Sequence, residues 1–298
     1  MNPAITIINL KHAYGQIPVL GNISFSIDRS DFFIIIGPNG SGKTTLMKII
    51  AGIEPLQNGK VEILERPISE YSIKALSKTI AFVPQSFPID FPYSIREMVL
   101  MGRYPHQGVL GMENRNDMDI ALEAMAITGI EHLADRKIDQ VSGGERQRAV
   151  IARAICQEPE IILLDEPTAS LDLSHQVRIM DLMEQLKKEK GISVVMVSHD
   201  VNLAAMYADQ LLILKNGQIT GIGKPEAVLK FEVLEKAYGC TIVVDQSPLG
   251  NIPRVSPVPR KFIAASRMEH GKKQRRRSPD NDTQSEVEKS IDISVRPD

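Results

Sequence analysis

Cysteine is scarce in this sequence. The 298 residues include two, Cys156 and Cys240, far apart and in no CxxC spacing. That argues against a disulfide framework or a thiolate zinc site and makes reduced thiols the expectation. A basic excess is missing too: 35 Lys and Arg face 37 Asp and Glu, a formal net charge of −2. General nucleic-acid binders carry positive excess, so no nucleic acid is expected as partner. No apolar run reaches the roughly 18 to 20 residues that cross a bilayer. The N-terminus, "MNPAITIINLKHAYG", alternates like a strand and lacks the charged-then-apolar layout of a signal peptide. The expectation is a cytoplasmic chain that, if it works at a membrane, docks onto another protein. No internal repeat is present.

What is present is a core-forming composition, 43% hydrophobic, arranged as alternating strands and helices. Residues 5–27 read as short strands with glycine breaks. "FFIII" (32–36) is continuously apolar, as a strand buried on both faces requires. "TTLMKIIAGI" reads as a helix, "IILLD" (161–165), "SVVMVSH" (193–199) and "QLLILKNGQI" (210–219) as strands, and "SHQVRIMDLMEQLKKEKG" (174–191) as a helix ending on glycine. Residues 88–158 interrupt the alternation with helical segments such as "SIREMVLMGR" and "NDMDIALEAMAITG", a helical insert in an α/β core. From about 264 apolar residues thin out and charge dominates, the composition of a disordered extension. Within it "KKQRRR" (272–277) suits anionic lipid or nucleic acid, but acidic residues follow closely and a solvated tail is the reading.

"GPNGSGKT" fits GxxxxGK[ST] from Gly37 to Thr44. Gly37, Gly40 and Gly42, with Pro38, Asn39, Ser41 and Thr45 around them, let backbone N–H groups ring a phosphate chain. The following helix points its positive end at the same place. Lys43 reaches the β- and γ-phosphates of ATP and the Thr44 hydroxyl ligates Mg²⁺. "IILLDE" ends a strand in Asp165, placed to hold Mg²⁺ through water, and Glu166, placed to take a proton from an attacking water.

A second glycine pair, "VSGGERQR" (141–148), follows the helical insert. Ser142 and Gly144 offer a hydroxyl, a backbone N–H and a helix start, which suit a γ-phosphate already claimed by Lys43. Two facing copies resolve the conflict, the loop of one closing over the nucleotide of the other. A helix N-cap with flexible glycines stays open as the other reading.

Together these residues resemble the nucleotide-binding subunit of an ABC transporter, over about residues 4–256. "GPNGSGKTT" resembles its Walker A, "IILLDE" its Walker B and "VSGGE" (with Gly143 and Gly144) its signature, departing from LSGGQ at Val141 and Glu145. The resemblance implies a P-loop α/β domain with an N-terminal antiparallel β subdomain and a helical subdomain at 88–158. It implies that Gln85 in "AFVPQSF" links Mg²⁺ and water to the helical insert, that Asp172 in "SLD" belongs to the D-loop, and that His199 in "VMVSHD" contacts the γ-phosphate and places the water. It implies that Tyr14 stacks on adenine. "RSDFF" departs from the family's usual Gly-Glu turn.

The "VLMGRYPH" end of "SFPIDFPYSIREMVLMGRYPH" (86–106) and "HDVNLAAMYADQLLILKNGQI" (199–219) resemble the ATPases of importers for ferric siderophores, haem and cobalamin. The resemblance implies a homodimer at the cytoplasmic face of the membrane, permease subunits docked in a groove of the helical insert and Q-loop, and an external binding protein served indirectly. An exporter or molybdate importer would share the catalytic residues. A P-loop kinase would have no use for "VSGGE". A DNA-repair relative would need a long coiled coil and a translation factor two cassettes. The expected division is an ATPase domain at 1–256 and an extension at 257–298.

Overall fold

The computed structural model describes residues 2–87, 93–108, 115–169 and 171–262. Two compact units are present, Met1–Pro257 and Val258–Asp298, and the fold below is that of the first. The charged segment from about 264, the stretch 88–92 that opens the helical insert, and Ser170 of "SLD" lie outside the described residues.

The N-terminal layer is antiparallel, in the order β2 (Ile17–Asp28), β1 (Pro3–Tyr14), β4 (Asn58–Ile63), β5 (Arg66–Pro67). Residues 5–27 are thus not short strands broken by glycine. β1 and β2 are long and bulged, Gly15 makes the turn between them, and Gly21 sits inside β2 opposite Lys11. Bulges absorb the irregular alternation that suggested breaks.

The central sheet is built from β3 (Phe32–Ile36), β6 (Ile80–Val83), β7 (Ile161–Asp165), β8 (Ser193–Val197), β9 (Gln210–Lys215) and β10 (Gln218–Gly223), in the order β10-β9-β3-β8-β7-β6. All but β10 run parallel. Every residue of β3, β7 and β8 is buried. Phe32, Ile34 and Ile36 face one core and Phe33 and Ile35 the other, which is why the run carries no alternation. Burial of each such side chain contributes roughly 1.5–3 kcal/mol. Residues 210–219, expected as one strand, form the β9–β10 hairpin. Asn216 and Gly217 both take positive φ (48° and 69°), the geometry of a two-residue turn matched to strand twist.

The core facing Phe33 holds the antiparallel layer and α1 (Lys43–Ile50), with α2 (Ile73–Thr79) leading into β6. The core facing Phe32 holds α3 (Ile95–Leu100), α4 (Arg115–Ile127), α5 (Gly143–Cys156) and α6 (Leu173–Lys190). Gly191 ends α6 in the left-handed region, as its sequence implies. No strand lies among the described residues of 88–158, only an isolated bridge from Ser94 to Lys137. The chain closes through α7 (Val201–Tyr207), α8 (Pro225–Val228), α9 (Phe231–Tyr238) and the hairpin β11 (Ile242–Gln246)–β12 (Pro253–Pro257). Among the described residues no helix is long and apolar enough to cross a membrane.

Candidate functional site

Four segments expected to carry chemistry leave the C-terminal ends of four adjacent parallel strands. The glycine loop follows β3, Gln85 follows β6, Asp165 and Glu166 end β7, and His199 follows β8. Open α/β sheets present their ligand sites at this edge.

The loop from Gly37 to Gly42 needs glycine where the backbone leaves β3. Gly37 has φ 149°, and a Cβ there would fall 2.0 Å from the carbonyl oxygen of Leu214. The β9–β10 turn supports the loop from below, Gly217 N–H donating to Ser41 O at 3.0 Å. Lys43 Nζ donates to the carbonyls of Gly37 (3.0 Å) and Pro38 (3.1 Å). Burial pushes the Lys43 ammonium below its ordinary pKa, while Glu166 and Asp165 oppose that shift. Ser41 Oγ is buried without a hydrogen-bond partner. A cradle of backbone that a Cβ would fill, an orphaned hydroxyl and a lysine whose ammonium bonds only loop carbonyls fit a phosphate chain. Thr45 is buried behind them in the first turn of α1.

Thr44 Oγ1 donates to Asp165 Oδ1 at 3.2 Å, so the hydroxyl and carboxylate expected to share Mg²⁺ already meet. Asp165 is 2% exposed, and burial raises its pKa while the Thr44 bond lowers it. Among the described residues no cluster of three or more His, Cys, Asp and Glu could hold a metal. Mg²⁺ asks for less, one or two protein ligands with waters and phosphate oxygens completing the shell.

The Glu166 carboxylate is divided between two neighbours. Gln85 Nε2 donates to Oε2 at 2.6 Å, and His199 Nε2 lies 2.5 Å from Oε1. Glu166 takes φ 52°, unusual for a residue with a Cβ, and its N–H donates to Val197 O at 3.2 Å. Left-handed backbone at a non-glycine residue costs roughly 1–2 kcal/mol. Here it accompanies a carboxylate that reaches partners following β6 on one side and β8 on the other. His199 itself is held in a tight turn, with Ser198 N–H on Ile35 O and Ser198 Oγ accepting from Asp200 N–H.

A cavity of about 500 Å³ opens beside Glu166 and His199, closed on its far side by Tyr238, Cys240 and Val255. Asn202 fastens that wall: its Oδ1 accepts from Val255 N–H (2.8 Å) and its Nδ2 donates to Val255 O (3.1 Å). The sequence reading missed this wall entirely, since no motif marks it.

The remaining expected residues lie elsewhere. Ser142 caps α5 in a capping box, Oγ accepting from Glu145 N–H and Glu145 Oε2 accepting from Ser142 N–H. The S-x-x-E spacing is the signal for it, and Glu145, the departure from the commoner signature, is the residue that closes the box. Ser142 and Gly143 are exposed. Asp172 caps α6, its Oδ1 accepting from His175 N–H at 2.9 Å. Tyr14, 46% exposed at the end of β1, donates its hydroxyl to Glu54 just past α1 and meets His12 edge-on. Arg103 of "VLMGRYPH" points inward. It pairs with Asp117 of α4 (3.0 Å) and Glu158 (2.7 Å) and donates to Cys156 O at the end of α5, stapling the helical layer together.

The sequence profile of the family described as ABC transporter matches residues 20–169. The chain is 37% identical over 247 residues to the ferric enterobactin transport ATP-binding protein FepC of Escherichia coli (strain K12), an alignment covering 83% of this chain and 91% of that protein. It is equally 37% identical to the hemin import ATP-binding protein HmuV of Thermobifida fusca (strain YX), covering 84% of this chain and 87% of the relative. A solved putative metal-chelate type ABC transporter in an inward-facing conformation matches with TM-score 0.78 and 30% identity, over 88% of this chain and 100% of that one.

Proposed function

The chain belongs to the ABC transporter family and is an ABC-type ATPase, and from that premise we propose that it drives an importer taking up an iron(III) chelate, a siderophore complex or haem, through a partner permease. The observation that carries the ATPase part of the reading is the Glu166 carboxylate, shared between Gln85 and His199 at the open end of the sheet; the importer part rests on the likeness to the relatives above. A carboxylate so held is placed to accept a proton from attacking water. In this reading Lys43, Ser41, Thr45 and the loop N–H groups bind the phosphates of ATP, and Tyr14 takes the adenine. Thr44, Asp165 and Gln85 would hold Mg²⁺, which when bound neutralises phosphate charge. Gln85 and His199 keep the Glu166 carboxylate in line.

Ser142, Gly143, Gly144 and Asp172 serve the nucleotide of a second copy. Ser142 bonds back into its own turn and, with Gly143, faces solvent, as surfaces awaiting a partner do. The permease groove lies in the helical layer beyond Gln85, where Tyr93 and Tyr104 are exposed. The working unit is a homodimer at the cytoplasmic face of the membrane, with the external binding protein reached through the permease. Residues 1–256 form the ATPase domain, 88–158 its helical part, and 257–298 an extension of which 265–298 is dispensable for hydrolysis.

The two relatives are equally similar and are named for different iron compounds, which supports an iron(III) chelate as the cargo class. Uptake of labelled ferric siderophore, haem and cobalamin in iron-limited cells tests it, comparing wild type with Lys43→Ala. Loss of ferric siderophore or haem uptake supports the reading. Loss of cobalamin uptake alone, or of none, transfers the ATPase to another importer or to an exporter.

A further inference from the structure

Two segments that the proposed function places against a second copy, the start of α5 and the Asp172 turn, touch through one side chain that belongs to no motif. A Cβ at Gly144 would lie 2.8, 3.1 and 3.2 Å from Cδ2, Nε2 and Cγ of His175. The ring is not free to swing aside. Asp172 Oδ1 accepts from His175 N–H, from His175 Nδ1 and from Ser174 Oγ, each at 2.9 Å. These bonds, the backbone one first, pull the Asp172 carboxyl down to about 2. It is therefore ionised at any working pH and takes a proton-bearing Nδ1, which fixes the ring orientation and leaves Nε2 toward Gly144. On the other side the Ser142–Glu145 box holds the first turn of α5 rigid. The contact has little core around it, with the His175 side chain 30% exposed.

We infer that His175 is a positioning residue that locks the Gly144 turn to Asp172, so that the two segments facing the partner copy move as one body. Glycine at 144 is then required by the ring at 175, in addition to any ligand it meets. The inference rests on the dimeric ATPase reading, and a double-mutant cycle separates the two.

ATP hydrolysis by the purified full chain is measured for wild type, Gly144→Ala, His175→Asn and the double variant. Asn at 175 keeps an amide donor for Asp172 and removes the ring edge from Gly144. Contacting residues couple, so the losses should not multiply. Gly144→Ala should lower kcat about tenfold or more, and His175→Asn several-fold with KM for ATP within about twofold. The double variant should return to the rate of His175→Asn alone, with the Hill coefficient for ATP falling from about 2 toward 1 in both. Multiplying losses in folded variants would overturn the His175 link and leave the ATPase reading standing. Wild-type rates in Gly144→Ala would overturn the link and, with it, the placement of Gly144 at the nucleotide of a second copy. A helix-stability effect alone would lower the thermal midpoint of His175→Asn and leave the Hill coefficient unchanged, which also counts against the link.

Discussion

His199 Nε2 lies 2.5 Å from Glu166 Oε1, across the ends of two neighbouring strands that share a hydrogen-bonded register up to Asp165 and Val197. The two side chains are thus aligned by the sheet, and the turn around His199 is pinned by Ser198 and Asp200. Replacing His199 with Ala should remove a preorganised group at a cost of roughly 10²–10³ in kcat, with KM for ATP nearly unchanged. Steady-state hydrolysis measures both.

Asp165 has a different balance. Burial raises its pKa, so the folded state binds the proton more tightly than the unfolded one. Stability from that proton is complete below the unfolded pKa and is lost as pH rises through the folded one. At neutral pH the charge is therefore a cost, kept for function. Asp165→Asn leaves an oxygen for Thr44 and removes the charge. Thermal unfolding of the nucleotide-free protein should show a higher midpoint than wild type at pH 7, the gap narrowing toward about pH 4, near the unperturbed Asp value. ATP hydrolysis by the same variant should be lost.

Asn202 ties the C-terminal hairpin to the helix that follows His199 through two hydrogen bonds between its side-chain amide and the Val255 backbone. At roughly 0.5–1.5 kcal/mol each, their loss in Asn202→Ala should cost about 2 kcal/mol. That lowers the thermal midpoint by roughly 5 °C for a unit of this size. Asn202→Asp, which keeps the acceptor and loses the donor, should fall between.

Much of this fold is written in local pattern. β3 and β7 are legible because burial on both faces forces an apolar run, five residues in β3 and four before Asp165 in β7, and the glycine loop because only that composition turns so tightly after a strand. The β9–β10 turn also has a local signal, since Lys215-Asn216-Gly217-Gln218 interrupts the apolar run and Asn-Gly is itself a hairpin signal. Long-range partnerships leave no local trace. Arg103 sits 14 residues from Asp117 and 55 from Glu158, and nothing in "MGRYPH" says that its arginine points inward. Asn202 and Val255 are 53 apart. The Gly144–His175 contact is hidden for the same reason: glycine in a signature reads as flexibility until the ring against it is seen.

The most direct test of the central claim is ATP binding and turnover by Glu166→Gln. Gln keeps the shape and a hydrogen-bonding oxygen but cannot act as the base. Binding near wild-type affinity with turnover reduced roughly 10²–10⁴-fold is the predicted result. Turnover close to wild type would contradict the assignment of Glu166 and with it the site as described.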